Sequence, residues 1–268
     1  MTLNEQISLR YQKQHDYYTR MVRPYFYKAI IAQNDNIINY ISKNGVYQIP
    51  YPLLIDINLF KNAIIQSYND VGVLAAKRQY YFTHQIEKKS ALQFLIEKWN
   101  QYFQNYAINY ANIMAGKMSQ TTLKDFEQVL SEAINNKLFG DNLIKYIQYN
   151  LNGGISKVRA IMIARTETTT ITNLANETAS VDNLRENGHT LMYKGWIGRA
   201  DNRERHTHLA LNDVYQKVDT LWNVGGEMAQ RPGDINLSAS ERVNCRCTQI
   251  IISESTYNRF LKRGLIKN

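Results

Sequence analysis

The sequence predicts an α+β protein, in which a mostly helical N-terminal region precedes a small α+β domain with one long helix packed on a short antiparallel sheet. Three observations lead to this class. Apolar side chains recur at helical spacing through most of the first 150 residues. Residues 156–187 continue as one long helix, which Gly188 ends. Two strand-like runs then occur at residues 190–197 and 244–252.

The N-terminal region is predicted to begin with three helical stretches. Residues 3–43 form the first, and Pro24 within it either kinks that helix or starts a second one. The helical pattern resumes over residues 56–80 and 84–117. Tyrosines interleaved with lysine and asparagine in the last stretch could stack on nucleic-acid bases, but tyrosines at helical spacing more commonly form the edge of a core.

Gly153 and Gly154 mark the predicted boundary between the two regions. Before them, a further amphipathic helix begins after a serine and threonine cap at residues 119–122, and a short helix ends near residue 149. The boundary divides the chain into a helical region, residues 1–152, and an α+β domain, residues 153–268. The helical region contains no catalytic constellation.

The second region combines the long helix with a small sheet. Ser156 can cap the helix, and threonines are unusually frequent inside it, although β-branched residues lower helix propensity. We therefore expect the threonine hydroxyls to contact a packed polar neighbour. Residues 215–218 could form a short third strand, and residues 198–241 are otherwise predicted to be irregular loops.

Composition and charge exclude several classes of protein. The chain has no run of eighteen apolar residues without charge, and its N-terminal segment lacks the apolar core of a signal peptide. We therefore expect a soluble protein that stays on the side of the membrane on which it is made. The formal net charge is +9, and both halves of the chain carry the excess. Nucleic acid is the first candidate for an anionic environment, although proteins that contact none also carry such an excess.

Both cysteines lie near the C-terminus. Cys245 and Cys247 are separated by one residue, which makes a disulfide between them geometrically poor. The pair therefore argues against a disulfide-stabilised secreted domain. The two side chains are predicted to be thiols or metal ligands.

Polar side chains suited to a site are concentrated between residues 196 and 247. Those that follow the first strand are Asp201, Arg203, Arg205 and His208. Those at the start of the second strand are Asn244, Cys245, Arg246 and Cys247. If the two strands pair, both groups converge at one end of the sheet.

Four motifs contain most of these residues. They are Ala164-Arg165-Thr166-Glu167 on the long helix, Trp196 followed by Asp201, Arg203, Arg205, His208 and Leu211, the loop Pro232-Gly233-Asp234, and Asn244-Cys245-Arg246-Cys247. In this order the motifs resemble those of the phage minor head protein family, also called the head morphogenesis or phage Mu F-like family, over roughly residues 150–252. One departure is Asn212-Asp213, which stands where the family often has a glycine turn that either residue accommodates.

The resemblance implies a structural virion component that acts in phage head morphogenesis. Such a protein would assemble in the host cytoplasm and lie inside the capsid near the portal vertex, with the portal protein and other head proteins as partners. Its positive charge could hold the protein among packaged double-stranded DNA. The protein could then leave the head together with the genome. The helical region would then serve assembly, or contact the portal or DNA. No cofactor is predicted, and no membrane contact is expected.

The polar cluster admits three roles, of which a structural network is preferred. In that network Asp201 is held by Arg203, Arg205 or Arg246 through bidentate hydrogen bonds. His208 and Asn244 would supply the remaining donors and acceptors. Such a network would pin two long loops without any substrate.

A zinc site is the second role. The ligands would be His206, His208, Cys245 and Cys247, a set that zinc accepts. The spacing argues against it, because one residue separates each pair and structural zinc sites usually separate their cysteines by two or more. The family pattern also contains His208 but not His206. A zinc-stabilised DNA-binding module is the corresponding function.

A nuclease or toxin-like enzyme is the third role. His208 would act as a base while Arg203, Arg205 or Arg246 stabilises phosphate charge. Arg165 and Glu167 of the long helix could join this group. The sequence has no glycine-rich phosphate loop and no metal-binding carboxylate cluster, so catalysis is not the preferred prediction.

Overall fold

Helices form most of the computed structural model, which describes residues 3–46, 49–83, 89–199, 201 and 203–266. The helices are α1 (Leu3–Asn44), α2 (Tyr51–Leu54), α3 (Ile57–Thr83), α4 (Lys89–Asn135), α5 (Gly140–Asn150), α6 (Ser156–Glu186), α7 (His206–Leu209), α8 (Ala239–Arg242) and α9 (Glu254–Lys262). The strands are β1 (Met192–Ile197), β2 (Tyr215–Lys217), β3 (Trp222–Val224), β4 (Glu227–Ala229) and β5 (Thr248–Ser253). The predicted α+β class is confirmed.

The helix α1 continues through Pro24, so the alternative of a second helix starting there is wrong. A proline inside a helix costs about 3 kcal/mol because it removes one backbone hydrogen bond. Val22, Phe26 and Ile30 are almost completely buried on either side of it. Since each such side chain contributes about 1.5–3 kcal/mol on burial, packing outweighs the defect.

The helix α4 also extends beyond the predicted break. Residues 119–122 were expected to cap a new helix, but they lie inside α4, and Ser119 and Thr122 are buried. The hydroxyl of Thr122 donates to the carbonyl oxygen of Met118 at 3.0 Å, four residues earlier. A threonine that bonds back in this way does not need to end the helix. The start predicted at residue 84 lies outside the described residues.

The chain forms two compact units, each built from separate stretches. One contains Met1–Arg20, Tyr68–Phe103 and Arg165–Asn268, and the other contains Met21–Ser67 and Gln104–Ala164. Gly153 and Gly154 lie in a π-helical turn, Leu151–Ile155, that joins α5 to α6 within the second unit. The boundary predicted at residue 152 therefore does not coincide with the division into units, and as a division of function it stays a prediction.

The unit that contains the sheet follows the predicted order closely. The helix α6 precedes an antiparallel sheet with strand order β2-β1-β5, in which Gly195 of β1 pairs with Tyr215 of β2. A side chain at Gly195 would overlap the Tyr215 ring, because a Cβ there would lie 2.4 Å from the ring atoms. The hairpin formed by β3 and β4 was predicted as irregular loop, since strands of three residues carry little periodic signal.

An apolar cluster in the same unit contains both cysteines. It consists of Trp196, Trp222, Val224, Ala229, Leu237, Cys245 and Cys247. The cysteines therefore belong to a buried layer beside the polar cluster, not to an exposed surface. Within the described chain, no helix has the length and apolarity needed to cross a membrane.

Candidate functional site

The threonines of α6 attach two separate segments of the chain to this helix. The hydroxyl of Thr166 accepts from the backbone N–H of Asn244 at 3.0 Å, and the hydroxyl of Thr170 donates to the carbonyl oxygen of Gly233 at 2.9 Å. Thr169 donates to the carbonyl oxygen of Cys245. The expectation that these hydroxyls contact packed polar neighbours is confirmed.

Asn173, one turn further along α6, fixes the start of β5. Its amide N–H donates to the carbonyl oxygen of Cys247 at 3.0 Å. Its side-chain oxygen accepts from the Thr248 hydroxyl and from the Gln249 N–H, both at 3.0 Å. The segment that carries both cysteines is therefore held against α6 by its backbone, which leaves its side chains free to face the other way.

The structure brings Asp201 and Arg246 together in a bidentate ion pair. The guanidinium donates two hydrogen bonds, of 2.8 and 2.9 Å, to the two carboxylate oxygens. Arg203 adds a bond of 3.3 Å, but its side chain is 70% exposed. Hydrogen bonding from Arg246 holds the pKa of Asp201 below its ordinary value. Arg205 does not join this pair, because its guanidinium donates to the carbonyl oxygen of Val243 at 2.6 Å.

Glu167 is paired with Arg242, a residue that the sequence did not single out. The Arg242 guanidinium lies 3.1 Å from the carboxylate, and both side chains are buried. Burial alone raises the pKa of Glu167 to about 8, and the adjacent guanidinium opposes that rise because it favours the carboxylate. Arg165 lies on the exposed side of α6, and because it is two residues away from Glu167 the two side chains point in different directions.

The Pro232-Gly233-Asp234 motif is a tight loop that seats on α6. Gly233 has a φ of +79°, and a Cβ there would lie 3.1 Å from the backbone nitrogen of Thr170. The Asp234 carboxylate accepts from the N–H groups of Gln230 and Asn236 at 2.8 and 3.0 Å. The glycine therefore allows close approach to the helix, and the aspartate keeps the loop closed.

A second, partly buried ionic group, which the sequence analysis also missed, surrounds Glu177. Arg231 donates two hydrogen bonds to its carboxylate, at 2.8 and 3.1 Å, and Gln249 donates a third at 2.7 Å. Nearby, the fully buried amine of Lys194 donates to the carbonyl oxygen of Gln230 at 2.9 Å. Burial lowers the pKa of Lys194 to about 8. Pairing of an acid with a base far away in sequence leaves no local pattern to detect.

His208 lies between the two cysteines and an acid. Its Nδ1 is 3.4 Å from the sulfur of Cys247 and 3.6 Å from the sulfur of Cys245, and its Nε2 is 3.0 Å from Oε2 of Glu241. The histidine is only 1% exposed. Burial lowers the pKa of His208, but contact with Cys245 and Glu241 outweighs it and raises the pKa overall. His206, the fourth zinc ligand considered from the sequence, is exposed and lies outside this group.

The space beside this group is small. A polar cavity of about 20 Å³ is lined by His208, both cysteines, Glu204, Asn244 and the arginines at 199, 203, 205 and 246. A volume of this size admits about one water molecule, whereas ligand pockets are on the order of 300–1,000 Å³. The geometry therefore suits a structural network or a single bound ion and does not present His208 to a nucleotide.

Comparison with known proteins gives two similarities. The family model described as "Phage Mu protein F like protein" matches residues 110–250, a range that contains all four motifs. The NAD(+)--arginine ADP-ribosyltransferase EFV of Enterococcus faecalis (strain ATCC 700802 / V583) is 28% identical over 153 residues, which cover 54% of this chain and 31% of that protein. The chain thus spans about a third of the length of this relative. No solved structure matches the chain.

Proposed function

The chain belongs to the phage Mu protein F like family and is a phage head protein, and we propose that it acts as a minor head protein near the portal vertex during head assembly. Its partners are then the portal protein and other head proteins. The single observation that supports a structural role most strongly is the bidentate pair between Asp201 and Arg246.

The ion pairs support a structural role because the charged groups bind one another within the chain. Asp201, Glu167 and Glu177 each bind an arginine at 2.8–3.1 Å. A catalytic site for phosphate chemistry would aim its arginines at the substrate. Here two of those three arginines anchor loops of the 198–246 segment to α6, so they stabilise a surface that other head proteins can contact.

Association with packaged DNA is a further part of the proposal. The net charge of +9 is shared between residues 1–150, with 16 basic and 11 acidic side chains, and residues 151–268, with 16 and 12. A dispersed excess of this kind favours salt-sensitive contact with phosphates and no recognition of bases. It is also compatible with a protein that leaves the head together with the genome.

Quantitative mass spectrometry of purified phage particles tests the proposal. The chain is expected in particles at a few copies, with lysine cross-links to the portal protein, and its amount should fall after genome release. A control sample of free protein mixed with finished particles detects adsorption. Absence from particles, or cross-links confined to proteins distant from the portal, would contradict the proposed location.

An enzyme is a second candidate, and the similarity to the Enterococcus faecalis protein favours a transferase over a nuclease. Most of that relative has no counterpart in this chain, and the buried His208 beside a cavity of about 20 Å³ opposes the idea. Incubation with NAD⁺ and an arginine-rich acceptor, and separately with DNA and RNA, distinguishes the candidates. We expect no turnover. Turnover by the intact chain that is lost in His208→Ala would replace the structural proposal.

A further inference from the structure

We propose that His208, Cys245 and Cys247 bind a zinc ion. Their ligand atoms all lie within 4.8 Å of one another, and all three residues are buried. One imidazole and two thiolates form a ligand set that zinc prefers over magnesium or calcium, which bind oxygen. This inference does not depend on the proposed function, because it concerns the ligand atoms alone.

The distances from the histidine nitrogen to the two sulfurs match a tetrahedral site. Zinc–sulfur bonds of about 2.3 Å and zinc–nitrogen bonds of about 2.0–2.1 Å place the nitrogen and sulfur of a tetrahedron about 3.6 Å apart. In the structure, Nδ1 of His208 is 3.4 Å from Sγ of Cys247 and 3.6 Å from Sγ of Cys245. Both nitrogen–sulfur distances therefore suit one shared ion, and the three ligand atoms all lie within 4.8 Å of one another.

The one-residue gap between the cysteines suits this site because the chain is not helical there. Residues 245–247 lie outside the helices and directly precede β5. Both cysteine sulfurs lie within 3.6 Å of Nδ1 of His208, while Arg246 between them binds Asp201. The backbone of both cysteines is fixed to α6 by Thr169 and Asn173.

The surroundings of His208 also fit a metal ligand. When Nδ1 of a histidine binds zinc, its Nε2 commonly faces a carboxylate that orients the ring. Here Nε2 is 3.0 Å from Oε2 of Glu241, and that same oxygen accepts a hydrogen bond from the Thr207 hydroxyl at 2.8 Å. The Trp196 ring packs edge-on against the imidazole, with 5.4 Å between the two ring centroids. The imidazole ring therefore has an acid next to Nε2 and an indole packed against it.

The small polar cavity borders all three ligand residues, so it can supply the fourth ligand of a tetrahedral ion. A water molecule fits there, since the cavity measures about 20 Å³. Glu204 also lines it, with Oε1 3.8 Å from the sulfur of Cys247. We assign the fourth position to water or to Glu204 and not to His206, which is exposed. The site thus differs in its fourth ligand from the set of two histidines and two cysteines that the sequence suggests.

Metal analysis of the full chain tests the site without any activity assay. Protein expressed with added zinc and dialysed against metal-free buffer is expected to retain ~1 zinc ion per chain. Replacement by Co²⁺ is expected to give thiolate-to-cobalt charge-transfer bands and the visible bands of a tetrahedral ion. A folded wild-type protein with neither zinc nor the cobalt spectrum would overturn the proposal.

Three variants locate the ion. The Cys247→Ser and His208→Gln variants are expected to bind at least tenfold less zinc per chain than the wild type. The His206→Gln variant, which changes a histidine two positions before His208, is expected to bind as much zinc as the wild type. Circular dichroism identifies variants that fail to fold, and for these the wild-type cobalt spectrum decides alone. Equal loss of zinc from His206→Gln, or full retention by a folded Cys247→Ser variant, would contradict the assigned ligands.

Discussion

Asp201 and Arg246, 45 positions apart in the sequence, meet through two hydrogen bonds of 2.8 and 2.9 Å. The pair joins the loop after β1 to the segment before β5. Asp201→Ala is expected to lower the free energy of unfolding by about 1–3 kcal/mol, because hydrogen bonds between charged groups are stronger than those between neutral groups.

Urea denaturation measures this effect. Arg203→Ala is the matched control, since Arg203 contacts the same carboxylate at 3.3 Å from a largely exposed position. We expect it to change stability by less than about 0.5 kcal/mol. Equal effects of the two substitutions would show that the bidentate pair stabilises the fold no more than the exposed contact with Arg203 does.

The buried pair of Glu167 and Arg242 gives a larger expected effect. Arg242→Met leaves a buried carboxylate without its guanidinium and removes the contact with the Gly233 carbonyl oxygen. We expect destabilisation of about 3–5 kcal/mol, and partial recovery in the double variant that also carries Glu167→Leu. Thermal melting of the single and double variants measures both. Arg165→Ala, on the exposed side of the same helix, is the control; a double variant no more stable than Arg242→Met would contradict the explanation.

Because the Lys194 amine is buried, we expect the free energy of unfolding to increase at alkaline pH. The pKa of its buried amine is lowered from an ordinary value of 10.5 to about 8 by desolvation. Below pH 8 both the folded and the unfolded states carry the charge, and its burial destabilises the fold. Between pH 8 and 10.5 only the unfolded state retains the proton, so the contribution of this group to stability increases with pH.

The difference between wild type and Lys194→Met isolates this effect. From pH 7 to 9.5 the wild type should gain about 1–2 kcal/mol relative to the variant, as measured by urea denaturation at each pH. Tyr11 and Tyr215, whose pKa values are raised by burial, are present in both proteins and cancel. A difference that stays constant with pH would mean that the amine does not titrate in this range.

Gly233 tests the close approach of its loop to α6. Gly233→Ala combines a left-handed φ of +79° with a Cβ 3.1 Å from Thr170. Gly226→Ala has a φ of +94° but open space around the Cβ, so it measures backbone strain alone. We expect Gly233→Ala to be more destabilising by about 1 kcal/mol or more in thermal melting. A smaller effect than that of Gly226→Ala would argue against tight seating of the loop.

The long elements were predictable because their period extends over many residues. The helix α6 was predicted to within about one residue, and the paired strands β1 and β5 were placed near their observed positions. The break predicted near residue 119 in α4 failed because threonines inside a helix and threonines at a cap look alike in sequence. The strands β3 and β4 have three residues each, too few for a period.

The site was predictable in part, and its two histidines show why. His206 and His208 lie on the short helix α7, where residues two apart point in directions that differ by about 200°, so both cannot face the cysteines. Cys245 and Cys247 have the same separation outside any helix, and both sulfurs lie within 3.6 Å of Nδ1 of His208. The sequence likewise offered three arginines for Asp201 but gave no sign that Arg242 would pair with Glu167. Which charges meet depends on tertiary packing.

Incorporation into phage heads tests the central claim most directly. A phage that lacks the corresponding gene would be complemented with the wild-type chain, with Asp201→Ala or with Arg203→Ala, and the chain in purified particles would be quantified against the major head protein. The account predicts incorporation of the wild type and of Arg203→Ala, and a severalfold loss for Asp201→Ala. Particles that form normally and contain no wild-type chain would contradict it.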